Sequence, residues 1–283
     1  MCVLKDIYNN ATGTFNQRYI IHQYLAVGGM SVVFKVKDIY REYFSDHKEL
    51  VIKIPAQKLL DKEDIAAFMY SEYTFLRDIE HKNIVKVYDY GIDNETKIPF
   101  IIMEFLKGRL LEDIPIYQIQ QDEKLLLFHS LYDTVNHIHE KGIIHADITP
   151  KNIVVSKEQK ATIFDFGISQ TVDDVKDFGL DYRQIKAYNP KYTAPEILQG
   201  GIPSISSDLF SFALVFYEVF SGELPFYKDS LELIDKPLTL SNCSNKIPLL
   251  LQNWFINVLV IDAQKRKREL PFLYNFFKKV KNI

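Results

Sequence analysis

Two short apolar runs, Ile153-Val154-Val155 and Ala161-Thr162-Ile163-Phe164, flank an all-polar stretch from Ser156 to Lys160. Brief runs rich in β-branched residues, separated by a polar turn, read as a two-stranded hairpin. That hairpin constrains its flanks. Before it stands His145-Ala146-Asp147-Ile148-Thr149-Pro150-Lys151-Asn152, and after it Asp165-Phe166-Gly167. The expectation is that Asp147, Asn152 and Asp165 gather at one end of the same small sheet. A carboxylate to orient a hydroxyl, with a carboxylate–amide pair to hold Mg²⁺, is the minimum that phosphoryl transfer needs. Asp-Phe-Gly alone arises by chance; the ordered pair at this spacing is specific.

The rest of the chain changes period near its middle. Residues up to about Gln17 are polar and turn-rich, and read as a tail or cap. Tyr19 to about Pro55 alternates apolar and polar residues as antiparallel strands do. Asp61 to Ile79 has helical period, with Ile65, Phe68, Glu72, Phe75, Leu76 and Ile79 on one stripe. Strand-like runs return at Ile84 to Tyr88 and Phe100 to Met103, and beyond Gly108 helices dominate. Phe128, Leu131, Val135 and Ile138 mark one helix face, and Pro248 to Val260 reads as another helix. Strands with one helix, then a larger helical half, predict a two-lobed α+β chain. The division is 1–17 as N-terminal tail, 18–103 as small lobe, 104–107 as hinge and 108–283 as large lobe.

Composition excludes more than it selects. A net charge of −3 over 283 residues gives no nucleic-acid footprint. Cys2 and Cys243 form no metal spacing and no disulfide scaffold, which fits a reducing compartment. No basic-then-apolar leader opens the chain, so the expected location is cytoplasmic, with a secreted effector as the alternative. The apolar run Leu209 to Tyr217 is far shorter than the ~20 residues of a membrane span and reads as a core helix.

Three further groups carry chemistry. Glu72 lies on the apolar stripe of its helix, where a buried carboxylate needs a partner. Lys53, ending the run Leu50-Val51-Ile52, is the candidate. A phosphate-contacting lysine held by a glutamate is a recurring pair in phosphoryl transfer. Upstream, Leu25-Ala26-Val27-Gly28-Gly29-Met30-Ser31-Val32-Val33 links two strand-like runs. Consecutive glycines there let backbone N–H groups approach phosphate oxygens.

With these residues assembled, the sequence resembles the eukaryotic-like (Hanks-type) protein kinases, of the bacterial Ser/Thr type, from about Tyr19 to about Val280. The resemblance implies a bilobal fold with an antiparallel-sheet small lobe. It gives Lys53 the role of strand lysine, Glu72 that of its helix partner, Met103 that of gatekeeper, and Glu104 to Leu106 that of hinge. Asp147 becomes the catalytic aspartate, Asn152 and Asp165 the metal ligands, and Ala194-Pro195-Glu196 the close of the activation segment. Asp208 braces the catalytic loop, Arg266 pairs with Glu196, and His145 supports the loop. Val33, Val51 and Val154 sandwich the adenine of ATP, whose phosphates lie under Leu25 to Ser31. The implied cofactors are ATP and Mg²⁺, or Mn²⁺ in its place, and the implied partner is a protein substrate.

The departures are as informative. Ala26 and Ser31 stand where the family has loop glycines, and Ala146 where many members have an arginine that reads an activation-segment phosphate. That switch is expected to be absent, so Ser169, Thr171, Tyr182 and Tyr188 are not expected to control turnover. Thr149 replaces the lysine that steadies the γ-phosphate in Ser/Thr kinases, and Asn189 replaces its threonine contact. Lys151 is placed to restore the charge, since a flexible ammonium there reaches a transferring phosphate. Asn189 retains hydrogen-bonding capacity toward a carboxylate such as Asp147. The expected activity is protein phosphorylation on Ser/Thr, favoured over Tyr by the bacterial-like glycine loop although Lys151, Pro190 and Lys191 resemble features of tyrosine kinases. The alternatives are a pseudokinase scaffold and a small-molecule phosphotransferase of the aminoglycoside or choline type, the latter lacking counterparts of Ala194-Pro195-Glu196, Asp208 and Arg266.

Overall fold

Alternation in the first third of the chain produces an antiparallel sheet with two distinct faces. The computed structural model describes residues 7–8, 13–172 and 189–270. Six strands, β1 Gly13–Phe15, β2 Tyr19–Val27, β3 Ser31–Asp38, β4 Leu50–Pro55, β5 Val87–Ile92 and β6 Pro99–Glu104, lie in the order β1-β2-β3-β4-β6-β5. Phe34, Leu50, Ile52, Ile54, Phe100 and Ile102 join Phe15, Tyr19 and Ile7 in one buried cluster. Alternate positions on a strand face opposite ways. Val33, Val51, Lys53 and Met103 therefore share the other face, and the register pairs Val33 with Lys53 and Val51 with Met103. A lysine is thus set among apolar neighbours.

Short helices and turns refine the sequence reading of this unit. A helix, α1, at Ile39–Tyr43 interrupts the run read as strands only; Asp38 caps it, accepting the Tyr40 N–H at 3.0 Å. Helix α2, Ile65–Asp78, packs on β5 and β6 and buries Phe68, Glu72, Phe75 and Leu76 as its period predicts. It stops one residue before Ile79. In the run Ile84 to Tyr88, only Val87 onward enters the sheet. Val85 instead donates its N–H to Ile163 O at 3.1 Å, and Ile163 donates to Asn83 O at 2.8 Å. The segment read as a tail or cap supplies β1, because Phe15 and Ile7 have apolar surface that the sheet buries completely.

The chain divides into two compact units. The first holds the described residues through Lys107 together with Thr162–Ile168, and the second holds the other described residues from Gly108 onward. In the second, β7 Arg109–Leu110 pairs with β9 Ile153–Val155, and β8 Ile143–Ile144 with β11 Gln170–Thr171. The turn after β9 closes through Ser156 N–H to Lys160 O at 2.9 Å; strand β10, Ala161–Ile163, follows it, with Thr162 and Ile163 counted in the first unit. The helices are α3 Gln121–Glu140, α4 Pro195–Leu198, α5 Ile205–Ser221 and α6 Leu249–Val258. Phe128 of α3 is the hub of their core, edge-on to Phe216 at 5.2 Å and to Trp254 at 5.3 Å. Leu209 to Phe210 and Phe212 to Tyr217 are buried in α5, as a helix apolar on all sides requires. Among the described residues no helix is long and apolar enough to cross a membrane.

Candidate active site

In the first unit one ammonium holds two carboxylates. Lys53 Nζ donates to Glu72 Oε1 and Oε2 at 2.6 and 2.7 Å and to Asp165 Oδ1 at 2.8 Å. Lys53 and Glu72 are buried, whereas the Asp165 side chain is 40% exposed. Burial works against the Lys53 charge, but Asp165 and Glu72 outweigh it and hold its pKa above the ordinary lysine value. Burial raises the Glu72 pKa; Lys53 and the Phe166 N–H pull it back. With the ammonium on both its oxygens, the pair is ionic. Gly167 lies close against this set: a Cβ there would come within 3.2 Å of Asp165 Oδ1, and that carboxylate would have to give by a few tenths of an ångström. Asp165 itself takes left-handed backbone, φ +68°, a strained setting that aims its carboxylate.

The glycine turn belongs to the same unit. Gly28 N–H donates to Ser31 O at 2.8 Å, closing the link between β2 and β3. Neither Gly28 nor Gly29 has positive φ, and no atom stands within 4 Å of a Cβ built at Gly29. The turn's own packing leaves that space open, which suits close approach by a ligand. Leu25, Ala26, Val27, Met30 and Ser31 lie along this turn and its strand ends, and Ala26 pairs with Val33. At the hinge, Glu104 N–H donates to Lys86 O at 2.9 Å and Phe105 N–H to Glu49 O at 3.1 Å. Leu106 N–H has no such partner among the described residues.

The second unit contains Asp147, Lys151, Asn152 and Val154. Asn152 Nδ2 donates to both the carbonyl and Oδ2 of Asp147, each at 2.8 Å, and Lys151 Nζ lies 4.0 Å from the same Oδ2. Beneath them Asp208, 1% exposed, accepts His145 N–H at 2.7 Å, Ala146 N–H at 2.9 Å and His139 Nε2–H at 3.0 Å. These bonds fix Ala146 at φ +66°, where a side chain is strained. Asp208 also sits in the first turn of α5, where the helix dipole favours a negative charge. His139 was not legible from sequence. Its place at the end of α3, six residues before His145, was the available signal, but its partner is 69 residues away.

Glu196 and Arg266 form a fork-to-fork pair, Nη1 to Oε1 at 2.6 Å and Nη2 to Oε2 at 2.7 Å. Among the residues weighed as phosphate switches, Ser169 is buried and donates to His145 O at 3.1 Å. That makes it a brace of the loop. Thr171 lies half-buried in β11 opposite Ile143. Tyr182, Tyr188 and the far end of the resemblance at Val280 lie outside the described residues. Asn189 accepts Lys191 N–H on Oδ1 at 3.2 Å and Thr193 Oγ1–H on its carbonyl at 2.8 Å.

Residues 19–254 match the family described as protein kinase domain. The chain is 25% identical over 272 residues to a probable serine/threonine-protein kinase of Clostridium perfringens, covering 93% of this chain and 38% of that protein. It is 30% identical over 222 residues to the serine/threonine-protein kinase PknB of Mycolicibacterium smegmatis, covering 76% of this chain and 34% of PknB. A probable PknB of Lactococcus lactis is 26% identical over 262 residues, covering 89% and 40%. The chain spans about two fifths or less of the length of these curated relatives. It belongs to the protein kinase family, with bacterial Ser/Thr kinases among its relatives.

Proposed function

We propose that this chain transfers the γ-phosphoryl group of ATP to serine or threonine hydroxyls of proteins. The observation that carries the reading is the closed set Glu72–Lys53–Asp165, with the ammonium held between two carboxylates. Removing the family's chemistry while keeping its fold would leave such buried ions costly and without purpose. Lys53 positions the α- and β-phosphates, and Glu72 fixes Lys53. Val33, Val51 and Met103 on the Lys53 face, with Val154, receive the adenine, and Leu106 N–H is available to its edge. Asp147 accepts the proton of the attacking hydroxyl as the new O–P bond forms and ADP leaves.

The two residues that the resemblance assigns to a divalent ion, one in each unit, are each chemically suited to hold it. Asp165 offers an exposed carboxylate, and Asn152, with its nitrogen turned to Asp147, offers its amide oxygen. Among the described residues no group of three or more His, Cys, Asp or Glu is gathered for a metal. Mg²⁺ suits such a sparse set, since it keeps several waters and binds substrate phosphates. When bound it would neutralise charge developing on the transferring group.

The altered letters of the catalytic loop lead to two expected results. The 4.0 Å approach of Lys151 to Asp147 supports Lys151 as the replacement for the lysine absent at Thr149. Lys151→Ala is expected to lower kcat about a hundredfold, the scale of one transition-state donor, with little change in KM for ATP. Unchanged kcat would remove Lys151 from the mechanism. With Ala146 in place of a phosphate-reading arginine, phosphatase treatment and Thr171→Ala, Tyr182→Ala and Tyr188→Ala are each expected to leave turnover within about tenfold of wild type, about 1.4 kcal/mol in barrier. Abolished turnover in a folded variant would show a phosphate switch of another design. The reading as a whole is tested with labelled ATP against a mixed peptide library and a panel of aminoglycosides and choline. Peptide labelling on Ser or Thr supports it; labelling of small molecules alone, or of nothing, overturns it.

A further inference from the structure

Thr149 stands two residues after Asp147, at the capping position of the single turn Pro150–Asn152. A threonine there ordinarily turns its hydroxyl onto the free N–H groups of the turn. This one does not. Pro150 has no N–H, and the Asn152 N–H goes to the Thr149 carbonyl at 3.0 Å. The residue is 2% exposed, and among the described residues its Oγ1 has no hydrogen-bond partner. Buried hydroxyls in native proteins rarely stay unsatisfied.

The same residue lines a cavity of about 10 Å³, the smallest space that admits one water molecule. Its other walls include Asp147, Thr193, Ser207, Asp208 and Ser211. The hydroxyl donors among them are committed elsewhere. Tyr192, also in the wall, donates its hydroxyl to Glu218 Oε2 at 2.5 Å; Thr193 Oγ1 donates to Asn189 O at 2.8 Å, Ser207 Oγ to Ser204 O at 2.8 Å and Ser211 Oγ to Ser207 O at 3.1 Å. No wall hydroxyl therefore gives a proton to Thr149, yet each retains lone pairs, as do the two carboxylates. A water molecule fits this inventory: it accepts the Thr149 proton and donates its own two to wall oxygens.

We propose that the cavity holds one ordered water, and that Thr149 is through it a positioning residue. The water ties the loop carrying Asp147 to the Thr193–Ala194 turn and to the first turns of α5. The resemblance places a lysine–threonine contact at Thr149 and Asn189; a water bridge from the shorter side chain would restore a link across the same loop. The positioning role rests on the kinase reading above, whereas the water site does not.

The test compares the wild-type chain with Thr149→Val, which keeps shape and loses the hydroxyl, and Thr149→Ser, which keeps the hydroxyl. Crystal structures of all three are determined, with kcat, KM for ATP and melting temperature measured alongside. The expected result is a water on Oγ of wild type and Thr149→Ser and none in Thr149→Val. In Thr149→Val, kcat falls on the order of tenfold, the scale of one buried hydrogen bond, while KM for ATP is unchanged and Thr149→Ser restores turnover. A dry cavity in the wild type overturns the site. Wild-type kcat in Thr149→Val, or a fall in melting temperature alone, overturns the positioning role. If the wild type transfers no phosphate at all, the kinase reading and the positioning role fail together, and the water is still seen or not seen.

Discussion

Asp147→Asn is expected to lower turnover by about 10²–10⁴-fold, the range a positioned general base supplies, and to leave the fold intact. Asparagine is nearly isosteric and keeps an oxygen for the Asn152 Nδ2 donor, now at 2.8 Å from the carboxylate. The bond from the Asp147 N–H to His145 Nδ1, 3.3 Å, uses only the backbone of residue 147 and survives. What disappears is the negative charge that draws a hydroxyl proton. Single-turnover transfer from labelled ATP, set beside a thermal melt, measures both halves of the expectation. A folded Asp147→Asn protein with wild-type turnover would assign the proton to another group.

The largest effect on stability is expected at Arg266→Ala. The guanidinium is wholly buried and lies 4.6 Å over the Phe210 ring. Besides both Glu196 oxygens it donates to Val260 O, Ser206 O and Ile261 O at 3.0, 3.0 and 3.2 Å. Removing one partner of a buried ion pair costs about 3–5 kcal/mol, because the other charge and the freed carbonyls lose their donor. At about 2–4 °C per kcal/mol for a chain of this order, the melting temperature is expected to drop roughly 10 °C. Arg266→Lys is expected to rescue little, since an ammonium cannot reproduce the planar fork. A loss of under about 3 °C, within the effect of 1 kcal/mol, would show that the helical core holds the segment without this pair.

The chemistry of the site was legible because its residues are expensive to place at random. A carboxylate on the apolar stripe of α2 calls for a cation, and Lys53 at the end of a buried strand answers it. The hairpin turn from Ser156 to Lys160 could be read from polarity alone. What escaped the sequence was set by tertiary contacts. Nothing local says that His139 bonds Asp208, that Ser169 is a brace under His145, or that Thr149 turns its hydroxyl away from the turn it caps. The strand β1 was hidden for a related reason. Three residues, Gly13-Thr14-Phe15, are too few to show a period, and Phe15 becomes core only when Phe100, edge-on at 5.5 Å, is beside it.

That outer strand has a practical consequence for anyone trimming the chain. The protein kinase match begins at residue 19, but the sheet begins at Gly13 and its buried cluster includes Ile7. A fragment cut to the matched span would strip β1 from β2 and turn a paired strand into a bare edge, the kind of surface on which chains stick to one another. It would also remove the Tyr8 hydroxyl from Pro55 O, now 2.8 Å apart at the end of the strand that carries Lys53. The limit of family likeness and the limit of the foldable piece are different residues, and expression boundaries belong to the second.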